Sequence, residues 1–295
     1  MGSLQTIILT FFLSIVTWNA HSTRALNDAP LELFNFEYIQ FELINGLIVL
    51  SASVDGQEGN FILDTGSPQL LLNSKVKKAD FACVSVDRTM KAKYVDVDHL
   101  KIGNFEKHRI EAWATNLSFL EELLDLKISG LIGLDIITES RLWIDYENER
   151  IYLLPSSIST LPLNMGNRNT VALDFELSDQ GMPVVHLPIN QKSMYLAFDT
   201  GAGLSVLNHD VLPEAFTTKN NNSQDGDQNI DHFNLRIGHL TIRNLAYISS
   251  DLQKFNEETS IKIDGILSVS SLNAQQVLID YPNSKIYIFW ENQSS

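Results

Sequence analysis

Phe61-Ile62-Leu63-Asp64-Thr65-Gly66-Ser67 carries three apolar residues into an acidic corner, and Leu70-Leu71-Leu72 follow at once. An apolar run broken by a turn triplet reads as a buried strand and the loop it enters. A carboxylate delivered to such a place is costly unless it is paired, neutralised or used. The pattern returns in Met194-Tyr195-Leu196-Ala197-Phe198-Asp199-Thr200-Gly201-Ala202, at a spacing of 199 − 64 = 135. The same offset relates Gly46 to Gly181, Asn73 to Asn208, Ile102-Gly103 to Ile237-Gly238 and Ile144-Asp145-Tyr146 to Ile279-Asp280-Tyr281. One offset shared by so many landmarks without a gap predicts an internal duplication. Two copies predict a pair of lobes rather than a stacked array.

The length of 295 residues suits two lobes, each with its own core. A hydrophobic share of 44% against 19% charged residues marks a globular chain. The formal net charge of −15 repels phosphate backbones and excludes nucleic acid as an expected partner. A single cysteine, Cys83, leaves no intramolecular disulfide to form. It is expected to pack as a small apolar side chain.

Ile7 to Trp18 is apolar but short for a membrane span, and Ala20-His21-Ser22 resembles a small-residue cleavage site. Residues 1–22 are therefore expected to be a signal peptide, directing the chain to secretion or the periplasm, although Met1 to Thr6 lacks the usual Lys or Arg. No membrane span is expected in the mature chain. The predicted organisation is an N-terminal lobe over 31–154, a Ser-, Pro- and Asn-rich linker over 155–167 and a C-terminal lobe over 168–292.

Turns are expected at Ile44-Asn45-Gly46 and Asp55-Gly56, with strands on either side. Ser118-Phe119-Leu120-Glu121 fits a capping box opening a short helix. Thr217 to Asp231, rich in Asn, Gln and Asp, reads as an exposed loop. Many short strands with turn signals and few helices predict a mostly β fold.

A single Asp-x-Gly is most often only a turn, because Asp bonds its own backbone and Gly takes positive φ. Two copies at matched positions, each behind an apolar strand, point elsewhere. Equivalent residues of two lobes packed about a pseudo-twofold axis face one another, so Asp64 and Asp199 would form a dyad. Two carboxylates about 3 Å apart cannot both ionise readily and share one proton. One can then act as base on water while the other donates to a carbonyl.

Asp64-Thr65-Gly66-Ser67 and Asp199-Thr200-Gly201-Ala202 resemble the signature of the aspartic peptidases, most closely two fused retropepsin-like copies. Leu131-Ile132-Gly133 and the weaker Ile266-Leu267-Ser268 supply the apolar-apolar-Gly segment that follows each signature. The resemblance implies a bilobal acid-protease fold of two β-barrel-like lobes. It implies Asp64 and Asp199 as the catalytic pair of a monomeric endopeptidase acting on extended peptides, with no cofactor and no metal. Thr65 and Thr200 would bond across the axis, and Gly66 and Gly201 would let the backbone turn close to the carboxylates. Ser67 could bond its carboxylate where Ala202 cannot, which implies an optimum less acidic than pepsin's. The flap that closes over substrate in this family is sought between Ser85 and Val97.

A non-catalytic peptide-binding protein on the same scaffold is the alternative. A glycosidase is more remote, since its carboxylates sit about 5 Å apart or more. His99 and His108 are read as surface residues. Asn116-Leu117-Ser118, Asn221-Asn222-Ser223 and Asn292-Gln293-Ser294 match glycosylation acceptors.

Overall fold

The computed structural model describes residues 6–9, 36–85, 89–158, 168–189, 192–211, 230–238 and 240–291. It is mostly β. The first lobe runs β2 (Ile39–Ile44), β3 (Leu47–Val54), β4 (Gln57–Leu63), β5 (Leu71–Asn73), β6 (Phe81–Ser85), β7 (Thr89–Ile102), β8 (Phe105–Thr115), α1 (Ser118–Leu124), β9 (Gly130–Ile132), α2 (Leu134–Ile137), β10 (Ser140–Asp145) and β11 (Arg150–Pro155). The second runs β12 (Arg168–Leu177), β13 (Pro183–Ile189), β14 (Lys192–Asp199), β15 (Ser205–Asn208), β16 (Ile230–Ile237), β17 (Leu240–Ser250), α3 (Gln253–Glu257), β18 (Gly265–Ser268), β19 (Gln276–Asp280) and β20 (Lys285–Glu291). The backbone of Thr6–Leu9 forms β1, parallel to β6. The rest of the expected leader, 159–167 of the expected linker and 217–229 of the expected loop lie outside the described residues.

The two hairpin turns follow from their residues. Asn45 and Gly46 both take positive φ, as do Asp55 and Gly56. Two central residues of that kind make the turn whose twist matches its flanking strands. The capping box is not formed. Leu117 is the N-cap of α1 without a side-chain bond, and the Glu121 carboxylate accepts from the Ile128 amide instead. The amide of Leu117 is satisfied by Asn73 Oδ1, so a tertiary contact takes over the expected local one.

In each lobe one short strand threads between two others. β9 pairs parallel with β4 and antiparallel with β5, and β5 pairs parallel with β8. β18, β14, β15 and β17 repeat that arrangement. A strand end caught this way is covered on both faces, which is why Phe61, Ile62 and Leu63 are all buried although strand side chains alternate.

The lobes meet in a six-stranded antiparallel sheet in the order β2-β11-β10-β19-β20-β12. At its centre Trp143 lies opposite Leu278, 135 positions later, and the pairs on either side are symmetric about that offset. Trp143 stacks on Phe289 beneath this seam, with centroids 5.5 Å apart and planes 9° from parallel. Cys83 is buried among Leu47, Phe81 and Trp113, and burial pushes its thiol up to about 12, so it packs as an apolar residue. No helix among the described residues is long and apolar enough to cross a membrane.

Candidate active site

β4 and β14 each deliver an Asp into the middle of the molecule. The Asp64 amide donates to the Ile132 carbonyl at 3.0 Å, and the Asp199 carbonyl accepts from Val269 at 3.1 Å. Each loop is thus tied to the strand threaded beside it. Both Asp64 and Asp199 are 0% exposed. The loops are matched in their internal bonds. Gly66 N donates to Asp64 Oδ1 at 2.8 Å, and Gly201 N to Asp199 Oδ1 at 2.8 Å.

The threonines lock the loops reciprocally. Thr65 N donates to Thr200 Oγ1 and Thr200 N to Thr65 Oγ1, each at 3.0 Å. Their hydroxyls donate onward to the backbone of the opposite lobe, Thr65 to Phe198 O at 3.1 Å and Thr200 to Leu63 O at 2.9 Å. Four buried bonds between neighbouring loops leave little freedom for the carboxylates they carry. Thr65 and Thr200 bond each other's loops, and the amides of Gly66 and Gly201 bond the Asp of their own loop.

Burial pushes the Asp64 carboxyl well above the ordinary carboxylate value. The neighbouring Asp199 charge and a side-chain hydrogen bond with Asp199 raise it further, while the amides of Gly66 and Ser67 offset part of the rise. This is the signature of two acids close enough to hold one proton between them. The pair can supply a base and an acid at once.

The expected role of Ser67 is not found. Its hydroxyl donates to Gln69 O at 2.9 Å, a bond within its own loop. The difference between Ser67 and Ala202 therefore does not act through a hydroxyl bond to Asp64, and the expectation about the pH optimum loses that support. Ser268 does replace Gly133 without disrupting the fold. A Cβ at Gly133 would stand 2.4 Å from Gln69 O and 2.7 Å from Ser67 O. On the other side Ser268 is buried within a hydroxyl network: its amide donates to Ser205 Oγ at 3.1 Å, and Ser271 Oγ donates to its carbonyl at 2.8 Å. The matching position to Ser205 is Leu70, so the two loops are braced by different chemistry.

Two features extend the sequence reading, which puts Gly66 and Gly201 close to the carboxylates. A Cβ on Gly201 would lie 2.2 Å from Asp64 Oδ1, so this glycine is the floor on which the opposite carboxylate rests. Gly201→Ala is expected to cost about 1–3 kcal/mol of stability by overpacking. A urea melt that leaves the midpoint unchanged would show that the carboxylate moves aside freely. The second is Asp135 in the first turn of α2. Burial raises its carboxyl to about 6. Its amide donates to Pro68 O, and the Leu134 amide to Ser67 O, fastening the first Asp loop to α2.

The flap candidate is now visible as a hairpin. β6 pairs antiparallel with β7 from Phe81↔Ala92 to Val84↔Thr89, and its tip, 86–88, lies outside the described residues. A cavity of about 420 Å³ lies against this hairpin, lined by Met90 and Lys91 from β7, by Lys75 and Val76, and by Thr115, Asn116, Ser118 and Phe119 near α1. No residue of the Asp loops lines it.

Comparison with known proteins agrees in part. A family model described as aspartyl protease matches residues 50–136, a span that includes Asp64 and ends before Asp199. No curated protein matches the chain. Basic 7S globulin from soybean superposes with a TM-score of 0.51 at 10% identity, covering 86% of this chain and 95% of its own. Conglutin gamma, a basic 7S globulin from lupine seeds, gives 0.51 at 12% identity, covering 88% and 96%. The first lobe thus matches an aspartyl protease model across its Asp loop, and the chain as a whole has the bilobal β fold of these two seed globulins.

Proposed function

We propose that this chain is an aspartic endopeptidase in which Asp64 and Asp199 activate a water for attack on a peptide carbonyl. The observation that carries this reading is the buried juxtaposition of the two carboxyls on loops bound to each other through Thr65 and Thr200. The raised Asp64 carboxyl keeps a proton on the pair at pH values where an ordinary carboxylate has lost it. That proton is the acid the reaction needs, and the partner carboxylate is the base. An extended peptide is the substrate class, held by backbone bonds of the strand type. Two fused copies of one unit supply both acids in a single chain, so the working species is a monomer, with the lobes divided at 155–167.

Export by residues 1–22 belongs to the same reading. β1 pairs among the described residues only with the edge strand β6, so cleavage of a leader would leave the rest of the sheet intact.

The test is a mixed peptide library incubated with the chain across a range of pH. Parallel samples contain a peptide whose central hydroxyl mimics the tetrahedral intermediate. Cleavage that the mimic suppresses is the expected result. Peptide binding without cleavage at any pH would instead identify a binding protein on the same scaffold.

A further inference from the structure

We propose a metal site on the first lobe, formed by His99 of β7 with Glu106 and His108 of β8, that takes a divalent cation of the zinc type. Residues 99 and 108 are nine positions apart in sequence, a spacing that signals nothing on a helix. The hairpin brings them face to face: His99 is the direct cross-strand partner of His108, and Glu106 lies two residues from His108 on the same side of the sheet. One donor atom from each of the three lies within 4.8 Å of the others. Tetrahedral zinc needs donors about 3.3 Å apart, from bonds of about 2.0–2.1 Å. Rotation of the exposed Glu106 and His108 side chains is what closing that gap requires.

The rings are already gathered. His99 and His108 stack with centroids 4.5 Å apart and planes 10° from parallel. His99 Nε2 is shielded from solvent and lies 3.4 Å from Glu106 Oε2 without hydrogen-bond geometry. A nitrogen and a carboxylate oxygen are thus turned toward one gap. The Lys101 ammonium lies 3.3 Å from Glu106 Oε1, on the far side of the carboxylate from His99.

The backbone under the site is fixed. His99 N donates to Asp55 Oδ1 at 2.9 Å, and the Asp55 amide donates to His99 O at 2.8 Å. Arg109, next to His108, takes φ 56, and its counterpart Asn244 takes φ 54, so the second lobe carries the same irregularity. There the positions matching His99, Glu106 and His108 are Asn234, Thr241 and Arg243, from 99 + 135, 106 + 135 and 108 + 135. The scaffold is shared and the donors are not, so the fold does not itself require them. Two imidazoles and one carboxylate select zinc over magnesium or calcium, and leave a fourth position for water.

The test uses the full chain, stripped of metal, titrated with zinc chloride at about pH 7.5, where free imidazole ligates. Calorimetry reads the stoichiometry, and cobalt substitution gives a visible spectrum for tetrahedral geometry. One equivalent is expected, with His99→Gln and His108→Gln each weakening binding by at least about tenfold and Glu106→Gln acting in the same direction. His186→Gln, which alters the other stacked histidine, on β13, should change nothing. No saturable uptake, or uptake that survives the double variant His99→Gln/His108→Gln, overturns the proposal. Circular dichroism of each variant separates lost ligands from lost fold, and Glu106→Gln, on an exposed side chain, gives the reading if a histidine variant fails to fold.

Discussion

Asp64→Asn is expected to lower kcat/KM for peptide cleavage by about 10²–10⁴-fold, the usual contribution of a positioned acid or base. The same substitution is expected to raise the melting temperature above the ordinary carboxylate range. The sign follows from linkage. The Asp64 carboxyl is raised well above 3.8 in the folded chain. The folded state therefore binds a proton more tightly than the unfolded one between those values. Its contribution to stability is fully present below the unfolded value and is lost as pH rises through the folded one. An amide carries no such proton and feels no repulsion from Asp199, so that part of the pH slope disappears. The slope from Asp135, also raised by burial, has the same sign and remains in the variant. Thermal melts of both proteins across pH decide the matter. Parallel curves would mean that Asp64 does not carry a raised pKa, and retained turnover would remove it from the chemistry.

The sequence exposed this site because the offset of 135 appears in residues that tolerate few substitutes. Asp, Thr and Gly serve there for charge, for a short side chain that bonds backbone, and for close packing, and the two corners make matching bonds. The offset also places strands: β8 spans 105–115 and β17 spans 240–250. What was not legible depends on neighbours distant in sequence. Ser67 bonds Gln69 rather than a carboxylate, in a loop against which Gly133 packs closely. The mixed polarity of 76–100 concealed the β6–β7 hairpin, whose inner residues Phe81, Cys83 and Ala92 are buried while Lys91 and Thr89 face out. His99 and His108 gave no signal because a cross-strand pair has no fixed spacing. Glu121 was expected at a cap, and the Ile128 amide offered it a tertiary partner.

Arg141→Met is expected to destabilise the fold by about 3–5 kcal/mol, the cost of leaving one member of a buried ion pair alone. Arg141 Nε donates to Asp280 Oδ1 at 2.9 Å across the seam between β10 and β19, with side chains 7% and 1% exposed. The guanidinium also donates to the carbonyls of Pro155 and Ser156, so its loss leaves acceptors without a donor. The symmetric register makes the opposite cross-strand pair Asp145 and Gln276, which holds no cation. The ion pair is therefore used once in a seam built from matching strands. That asymmetry fixes which residue meets which, since a slip of the seam would bury Arg141 and Asp280 apart. The double variant Arg141→Met/Asp280→Leu should recover most of the loss, because apolar side chains of similar volume often replace a buried pair without penalty. A double-mutant cycle from chemical denaturation measures the coupling. A single-variant loss under about 1 kcal/mol would mean that water reaches the seam and the pair behaves as a surface one. β10 follows α2, and α2 is hydrogen-bonded to the loop of Asp64, so a shift of β10 is expected to disturb the dyad. Turnover in Arg141→Met should fall even where the protein remains folded, and in the double variant it should return with the register.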